Sequence, residues 1–227
     1  LIWDEVAADG TQLGGVTNHD VGGINVAIGF TSQDHGATGT ISDATVYAEG
    51  GEGFGSNSSL ELWGQGGEGG WDDTSTTELT FSSTSGDYQD EVQDVAFRIN
   101  DVDLSTDFGD THIDRVTIRA YDAEGNLIDV DITSETGDQV INGNEATGDI
   151  EHDDGVNPNS QAGSILVNIA GPVARIEIDY DNGGETTQGV WVSDVTFTTI
   201  PTEPVDGPAG DDLLYGGDGD DYIEGNG

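Results

Sequence analysis

The sequence predicts an all-β protein, an antiparallel β-sandwich of jelly-roll-like type. Apolar side chains recur at every second position in many short segments, a period that is typical of half-buried strands. Clusters of Gly, Asp and Asn separate these segments, and no stretch shows the periodicity of a helix. About ten to twelve short strands would build such a sandwich. The clearest alternating segments are Ile24–Phe30, Val95–Ile99, Val116–Ala120, Ile128–Ile132, Ile165–Ile169 and Ile176–Tyr180.

Two short connections predict how neighbouring strands join. The segment Asp122–Asn126 (DAEGN) fits a hairpin loop with Gly125 in a left-handed conformation. Residues Ala170–Pro172 (AGP) are expected to link another pair of neighbouring strands.

The domain organisation follows from a change in composition after Ile200. There the alternation stops, and Pro, Gly and acidic residues dominate. We therefore expect a sandwich domain at 1–200, an extended linker at 201–206 and a separate C-terminal segment at 207–227.

The net charge restricts the partners of the chain. It has 46 acidic residues against 4 basic ones, which gives a formal charge of −42 at pH 7. Nucleic acids and anionic membranes are poor partners because binding them relies on Lys and Arg. Cations would relieve the self-repulsion of such a chain, and the few arginines are expected to pair with neighbouring acids.

The absence of two residue types narrows the kinds of site that are available. The chain contains neither Cys nor Met, so disulfides and thiolate metal sites are excluded and oxygen atoms and four histidines remain as ligands. No apolar run is long enough to span a bilayer, so membrane insertion is not expected.

The C-terminal segment contains a nine-residue repeat of the form G-x-x-G-x-D-x-U-x, where U is a large apolar residue. The two units are Gly207–Tyr215 and Gly216–Glu224, and they place Asp212 and Asp221 at equivalent positions. In the first unit, Pro208 departs from the usual pattern of glycines.

This segment, about a tenth of the chain, resembles the RTX, or hemolysin-type, calcium-binding repeat. The resemblance implies the first turns of a parallel β-roll, Ca²⁺ bound through Asp carboxylates and backbone carbonyls, and a secreted protein at the cell surface or outside the cell. The implied ligand positions are Gly207, Ala209, Asp211, Asp212, Gly216, Asp218, Asp220 and Asp221.

A second candidate calcium site lies inside the sandwich domain, in the segment NDVDLSTDFGD. Its acidic residues are Asp101, Asp103, Asp107 and Asp110. The first two are expected on one face of a strand end, and the following loop could bring one of the others beside them. Ca²⁺ takes six to eight oxygen ligands, which carboxylates and loop carbonyls can supply. A solvated acidic loop is the alternative.

A candidate glycan site surrounds a glycine-rich loop. Trp63 and Trp71 flank this loop and could offer flat aromatic faces to a sugar ring, with Asn57, Gln65 and Asp72 as hydrogen-bonding partners. The alternative is that these tryptophans pack in the core or over a sheet edge.

Catalysis has little support in the sequence. The four histidines show no zinc-ligand spacing, and no nucleophile motif is present. We expect a secreted, calcium-binding, non-catalytic module that acts in adhesion or binds neutral polysaccharide. One alternative is a structural subunit of an extracellular matrix, surface layer or filament, which would join its copies through sheet edges and an N-terminal strand at Leu1–Val6. The other is an accessory domain of a polysaccharide-degrading enzyme.

Overall fold

The fold consists of two antiparallel β-sheets, as the alternation predicts. The computed structural model describes residues 1–33, 36–64, 72–107, 109–149 and 156–202, and only the backbone of residues 72, 73 and 110. The predicted β-roll at 207–227 lies outside the described residues. Strands dominate, and the described residues include one short helix, α1, at Trp3–Val6.

The larger sheet contains nine strands. They are β1 (Gly15–Val21), β2 (Ile24–Ser32), β5 (Asp72–Ser83), β7 (Leu104–Asp107), β8 (Asp110–Tyr121), β9 (Leu127–Ile128), β11 (Gln139–Asn142), β12 (Glu145–Gly148) and β14 (Arg175–Asn182). Their order is β1-β2-β5-β14-β8-β12-β11, and β7 and β9 also pair with β8. Strands β1 and β11 therefore form its two edges.

The second sheet contains seven strands. They are β3 (Thr38–Ser42), β4 (Ser59–Gly64), β6 (Tyr88–Asn100), β10 (Asp131–Ser134), β13 (Ile165–Ile169), β15 (Gln188–Ser193) and β16 (Thr196–Pro201). Their order is β10-β13-β6-β15-β4-β3, and β16 pairs with β6. All strand pairs in both sheets are antiparallel. The strand order also places strands that are distant in sequence, such as β5 and β14, beside each other.

The core lies between the two sheets. Most inward-facing residues of the strands are apolar, and the period of two sends alternate side chains to the same face. Phe97 and Ile99 on β6 and Ile118 on β8 are fully buried. Burying side chains of this size stabilises the fold by about 1.5–3 kcal/mol each.

The hairpin at Asp122–Asn126 is confirmed. Tyr121 pairs with Leu127, and Gly125 has a φ of 81°, in the left-handed region. The segment Ile128–Ile132 differs from the prediction of a single strand. It is divided between β9 in the nine-stranded sheet and β10 in the seven-stranded sheet, because the chain crosses from one sheet to the other between them.

The connection at Ala170–Pro172 also differs from the prediction. It joins β13 and β14, which belong to different sheets and so are not hydrogen-bonded neighbours. The prediction that this connection links neighbouring strands is therefore wrong, because alternation marks strands without showing the sheet to which each belongs.

The N-terminal residues Leu1–Val6 do not form the predicted strand through which copies of the chain would join. Trp3–Val6 is a single helical turn, and Leu1 and Trp3 are buried in the chain's own core. The Leu1 amino group donates to the Val195 carbonyl (2.6 Å), and the Trp3 indole N–H donates to the Ser193 carbonyl (2.8 Å). These contacts tie the segment to β15 and the residues after it.

Candidate cation site and aromatic face

A buried polar cluster lies where the chain leaves the seven-stranded sheet for the nine-stranded sheet. Strand β6 ends at Asn100, and residues 101–103 carry the chain across towards β7 and β8. Asp101 has a φ of 67°, in the left-handed region. Both Asp101 and Asp103 are 4% exposed, so their carboxyl groups face the protein interior.

Strand β8 adds two more polar side chains to this cluster. His112 and Asp114 are in phase with the buried Val116 and Ile118, so the period of two directs them into the sandwich. His112 is 5% exposed and Asp114 is fully buried. The ligand atoms of Asp103, His112 and Asp114 all lie within 4.8 Å of one another. This arrangement could hold a metal ion.

The carboxylates of the cluster are oriented by neighbouring donors. The Tyr180 hydroxyl on β14 donates to Oδ1 of Asp114 (2.7 Å), and the Asp103 backbone N–H approaches Oδ2 of Asp114 (3.3 Å). The Val156 N–H donates to Oδ2 of Asp103 (3.1 Å). Nε2 of His112 lies 2.8 Å from the other oxygen of Asp103, Oδ1.

Burial makes ionisation of these carboxyl groups unfavourable. Desolvation, followed by the nearby charge of Asp103, raises the pKa of Asp101 to about 8. The same two causes hold the pKa of Asp114 well above its usual range. Oδ1 of Asp101 is buried without a hydrogen-bond partner. The cluster therefore carries more carboxyl groups than its surroundings neutralise.

The structure places the four predicted calcium ligands in two groups. Asp101 and Asp103 lie together in the buried cluster. Asp107 is exposed on β7 and pairs in register with Asp110 across the hairpin to β8. The side chain of Asp110 lies outside the described residues.

Two members of the cluster, His112 and Asp114, were not predicted. The signal that could have found them is their phase, because both continue the inward-facing series Val116, Ile118 towards the start of β8. Polar residues at inward positions of a strand require partners inside the protein.

The outer face of the seven-stranded sheet carries two tryptophans. Trp63 on β4 pairs with Gly189 on β15, and Trp191 pairs with Glu61 in the adjacent row. Trp63 is 36% exposed. A Cβ added to Gly189 would lie 2.6 Å from Cε3 of Trp63, so the indole packs over the glycine backbone. Its opposite side contributes exposed aromatic surface.

Polar groups lie beside this aromatic surface. Glu61 is half-buried, and desolvation raises its pKa. Asn100 pairs with Trp191 on the far side from Glu61, and the Asn100 amide and the Trp191 indole N–H are buried without hydrogen-bond partners. Trp191 and Asn100 are themselves buried, at 9% and 0% exposed. The accessible surface here is therefore formed by Trp63 and Glu61, which we call the aromatic face.

The other predicted glycan residues do not all join the aromatic face. Asn57 lies in the turn before β4, at the opposite end from Trp63, where its amide donates to Oγ1 of Thr45 (3.0 Å). Asp72 begins β5 in the other sheet. Trp71 and Gln65 lie outside the described residues, as do all eight predicted repeat ligands, Gly207, Ala209, Asp211, Asp212, Gly216, Asp218, Asp220 and Asp221.

The expected pairing of arginines with acids is confirmed. Arg115, Arg119 and Arg175 form a ladder of ion pairs across β8, β14 and β5; for example, Nη2 of Arg115 lies 2.7 Å from Oδ2 of Asp181. Arg115 and Arg119 also line an open cleft of about 530 Å³. Each arginine there is paired with carboxylates, which is typical of arginines that stabilise a fold. No helix in the described ranges has the length and apolar character to cross a membrane.

Comparison with known proteins adds little to this description. No family model matches the sequence, and no curated protein does. Among solved structures, the chain is similar to the enzymatically active domain of tailspike protein 4 from bacteriophage CBA120, with 15% sequence identity and a TM-score of 0.33. The likeness covers 77% of this chain and 19% of the tailspike chain. A likeness at this TM-score carries no functional argument.

Proposed function

We propose that this chain is a non-catalytic β-sandwich module that binds neutral polysaccharide as part of a secreted, calcium-dependent protein. The observation that carries the proposal is Trp63, an indole that packs over Gly189 and remains 36% exposed. An aromatic ring held in this way can stack against the apolar side of a sugar ring at little entropic cost.

The neighbours of Trp63 supply the polar part of such a site. Glu61 and the Thr38 and Thr40 side chains of β3 lie on the same face, because they pair in register with Trp63 and Glu61. Hydroxyl and carboxyl groups beside an aromatic ring suit the hydroxyl groups of a sugar. A net charge of −42 disfavours anionic polysaccharides, so the ligand we propose is neutral.

The calcium-dependent part of the proposal rests on the sequence repeats at 207–224. Their resemblance to RTX repeats supports Ca²⁺ binding and secretion. The ion pairs that occupy the three arginines of the ladder support a non-catalytic role, since those side chains already serve the fold.

A specific observation supports self-association as a second candidate. Val16 on β1 and Val140 on β11 are 68% and 50% exposed, and these strands are the two edges of the nine-stranded sheet. Exposed apolar residues at open sheet edges favour pairing between copies. Light scattering would measure particle size at increasing protein concentration. An increase in size that is absent in Val16→Lys would favour this candidate.

Affinity electrophoresis in gels that contain a neutral polysaccharide tests the proposed function. Soluble β-glucan, xylan, galactomannan and starch would be compared, each with calcium present. We expect at least one to retard the chain, and Trp63→Ala to weaken that binding by tenfold or more, as loss of an aromatic anchor does. Leu127→Ala is the matched control, because Leu127 is 69% exposed but belongs to the other sheet.

A second variant tests the position of the ring without removing it. In Gly189→Ala the new methyl group would displace the Trp63 indole, since it would lie 2.6 Å from Cε3. We expect weaker retardation in this variant, with thermal unfolding to verify that it still folds. Retardation that is equal in Trp63→Ala, Leu127→Ala and the parent chain would contradict the proposal.

A further inference from the structure

We propose that Asp103, His112 and Asp114 bind Zn²⁺, with Asp101 as a fourth ligand, and that this ion fastens the crossing between the two sheets. This site is distinct in sequence from the predicted calcium repeats at 207–224, and its donor set differs from theirs. The inference is independent of glycan binding, because the cluster is buried at the start of β8 and the aromatic face is not part of it.

The set of donors favours zinc over calcium. Zn²⁺ is bound by three or four ligands and accepts imidazole nitrogen together with carboxylate oxygen. Ca²⁺ requires six to eight oxygen ligands, and imidazole nitrogen is not among them. His112 lies at the centre of the cluster, with Nε2 only 2.8 Å from Oδ1 of Asp103. Zinc ligands bonded at about 2.0–2.2 Å stand a little over 3 Å apart, so small shifts would admit the ion.

The surrounding hydrogen bonds match those of an organised metal site. Outer partners usually hold the second atom of each ligand and fix its orientation. Oδ1 of Asp114 accepts from the Tyr180 hydroxyl, and Oδ2 of Asp103 accepts from the Val156 N–H. Oδ2 of Asp114 accepts a longer contact (3.3 Å) from the Asp103 backbone N–H. Oδ1 of Asp103 lies 2.8 Å from Nε2 of His112, which also lies 3.3 Å from the Gln188 amide nitrogen.

Asp101 is an independent indication of a missing ligand. It is 96% buried, and its Oδ1 has no hydrogen-bond partner. It precedes Asp103 by two residues; the charge of Asp103 acts on it, and its own charge acts on Asp114. A buried carboxylate oxygen without a partner is costly, and a metal ion would satisfy it.

A cleft beside His112 would give a metal ion access to the cluster. A cleft of about 280 Å³ has His112 in its wall, with Thr106 and Thr111 of the β7–β8 hairpin and Glu185 at its rim. Bound there, the ion would join residues 101–103 to β8. It would thereby fix the point at which the chain changes sheets.

The experiment uses the whole chain after removal of metals with a chelator. Zn²⁺ binding is measured by calorimetry, Co²⁺ serves as a spectroscopic substitute, and nitrogen-detected NMR follows the four histidine rings. We expect one Zn²⁺ per sandwich, visible Co²⁺ bands typical of low coordination number, and a shift of the His112 ring signals. Excess Ca²⁺ should leave those ring signals unchanged.

Three variants separate a zinc site from a general acidic surface. His112→Gln should abolish the Co²⁺ bands, and Tyr180→Phe, which removes only an outer partner, should weaken Zn²⁺ binding roughly 10–100-fold. Asp107→Asn, an exposed residue of the neighbouring hairpin, should leave binding unchanged.

Two outcomes would overturn the inference. One is failure of the parent chain to bind Zn²⁺ at one equivalent. The other is displacement of Zn²⁺ from His112 by Ca²⁺ at comparable concentration. The Tyr180→Phe variant provides a separate test if His112→Gln does not fold. Equal Zn²⁺ affinity in Tyr180→Phe and in the parent chain would also contradict the inference.

Discussion

Two buried charged clusters lie three residues apart at the end of β6, and they are neutralised in different ways. Arg98 is fully buried, and its guanidinium donates to Glu52 (2.8 and 2.6 Å) and to Glu135 (2.6 Å). Asp101 is also buried, but its neighbours Asp103 and Asp114 carry the same sign of charge. Arg98 finds its counter-charges within the chain, whereas the carboxyl cluster has one imidazole.

The comparison shows what a buried charge requires. Burial alone lowers the pKa of Arg98, yet hydrogen bonds to Glu52 and Glu135 raise it overall, so the cation is stable. For Asp101 both burial and Asp103 act in the same direction, so the carboxyl group binds a proton or needs an external cation. The first cluster is complete, and the second is open to an ion.

Removing the buried cation should produce the largest effect. In Arg98→Met, Glu52 and Glu135 lose their shared partner, and we expect the free energy of unfolding to fall by about 3–5 kcal/mol. Urea unfolding would measure this. Arg119→Met is the matched control, since Arg119 is an ion-paired arginine with 38% side-chain exposure, and its loss should cost about 0–1 kcal/mol. Equal losses would remove the distinction between the two positions.

The stability of the metal-free chain should depend on pH because of the buried carboxyl group of Asp101. The pKa of Asp101 rises from its unfolded value of 3.8 to about 8 in the fold, so the native state binds the extra proton between these values. Its contribution to stability is present below pH 4 and is lost as pH rises towards 8, by an amount on the order of a few kcal/mol.

Asp101→Asn isolates this contribution. The amide does not titrate, so relative to the parent chain the variant should gain stability as pH rises from 5 to 8 in chelator. Chemical unfolding at several pH values would measure the difference. A difference that is constant with pH would show that Asp101 titrates normally.

The smallest effect concerns an outer partner of the complete cluster. Tyr47 lies with its ring 5.0 Å from the guanidinium carbon of Arg98. We expect Tyr47→Leu to lower stability by about 0.5–2 kcal/mol through loss of this cation–π contact. Thermal unfolding of Tyr47→Leu in the parent and in Arg98→Met would separate the contact from simple packing. A loss that is the same in both backgrounds would assign it to packing.

The sequence predicts local structure well. It does not predict which distant residues neutralise a buried charge. Alternation located the strands around Ile24, Ile118 and Ile178, because a period of two is a local property. It could not show that Ile128 and Ile132 belong to different sheets. Arg98 pairs with Glu52, 46 residues earlier, and no local pattern connects them.

The candidate site shows the same division. Asp101 and Asp103 were predicted together because they are close in sequence. His112 and Asp114 join them because the hairpin at Leu104–Tyr121 folds β8 back onto the crossing. The phase of β8 contained this information, but only the assembled sandwich shows which face is inside.

The order of strands has a consequence for how fast the chain can fold. Strand β14 pairs between β5 and β8, and β5 ends about 90 residues before β14 begins. Strand β15 pairs with β4 across an even longer interval. Pairings of this kind close large loops, which makes folding slow compared with chains that are rich in local contacts. Until Arg175–Asn182 has been synthesised, β5 lacks its central neighbour, so the nine-stranded sheet cannot be completed before that point of synthesis.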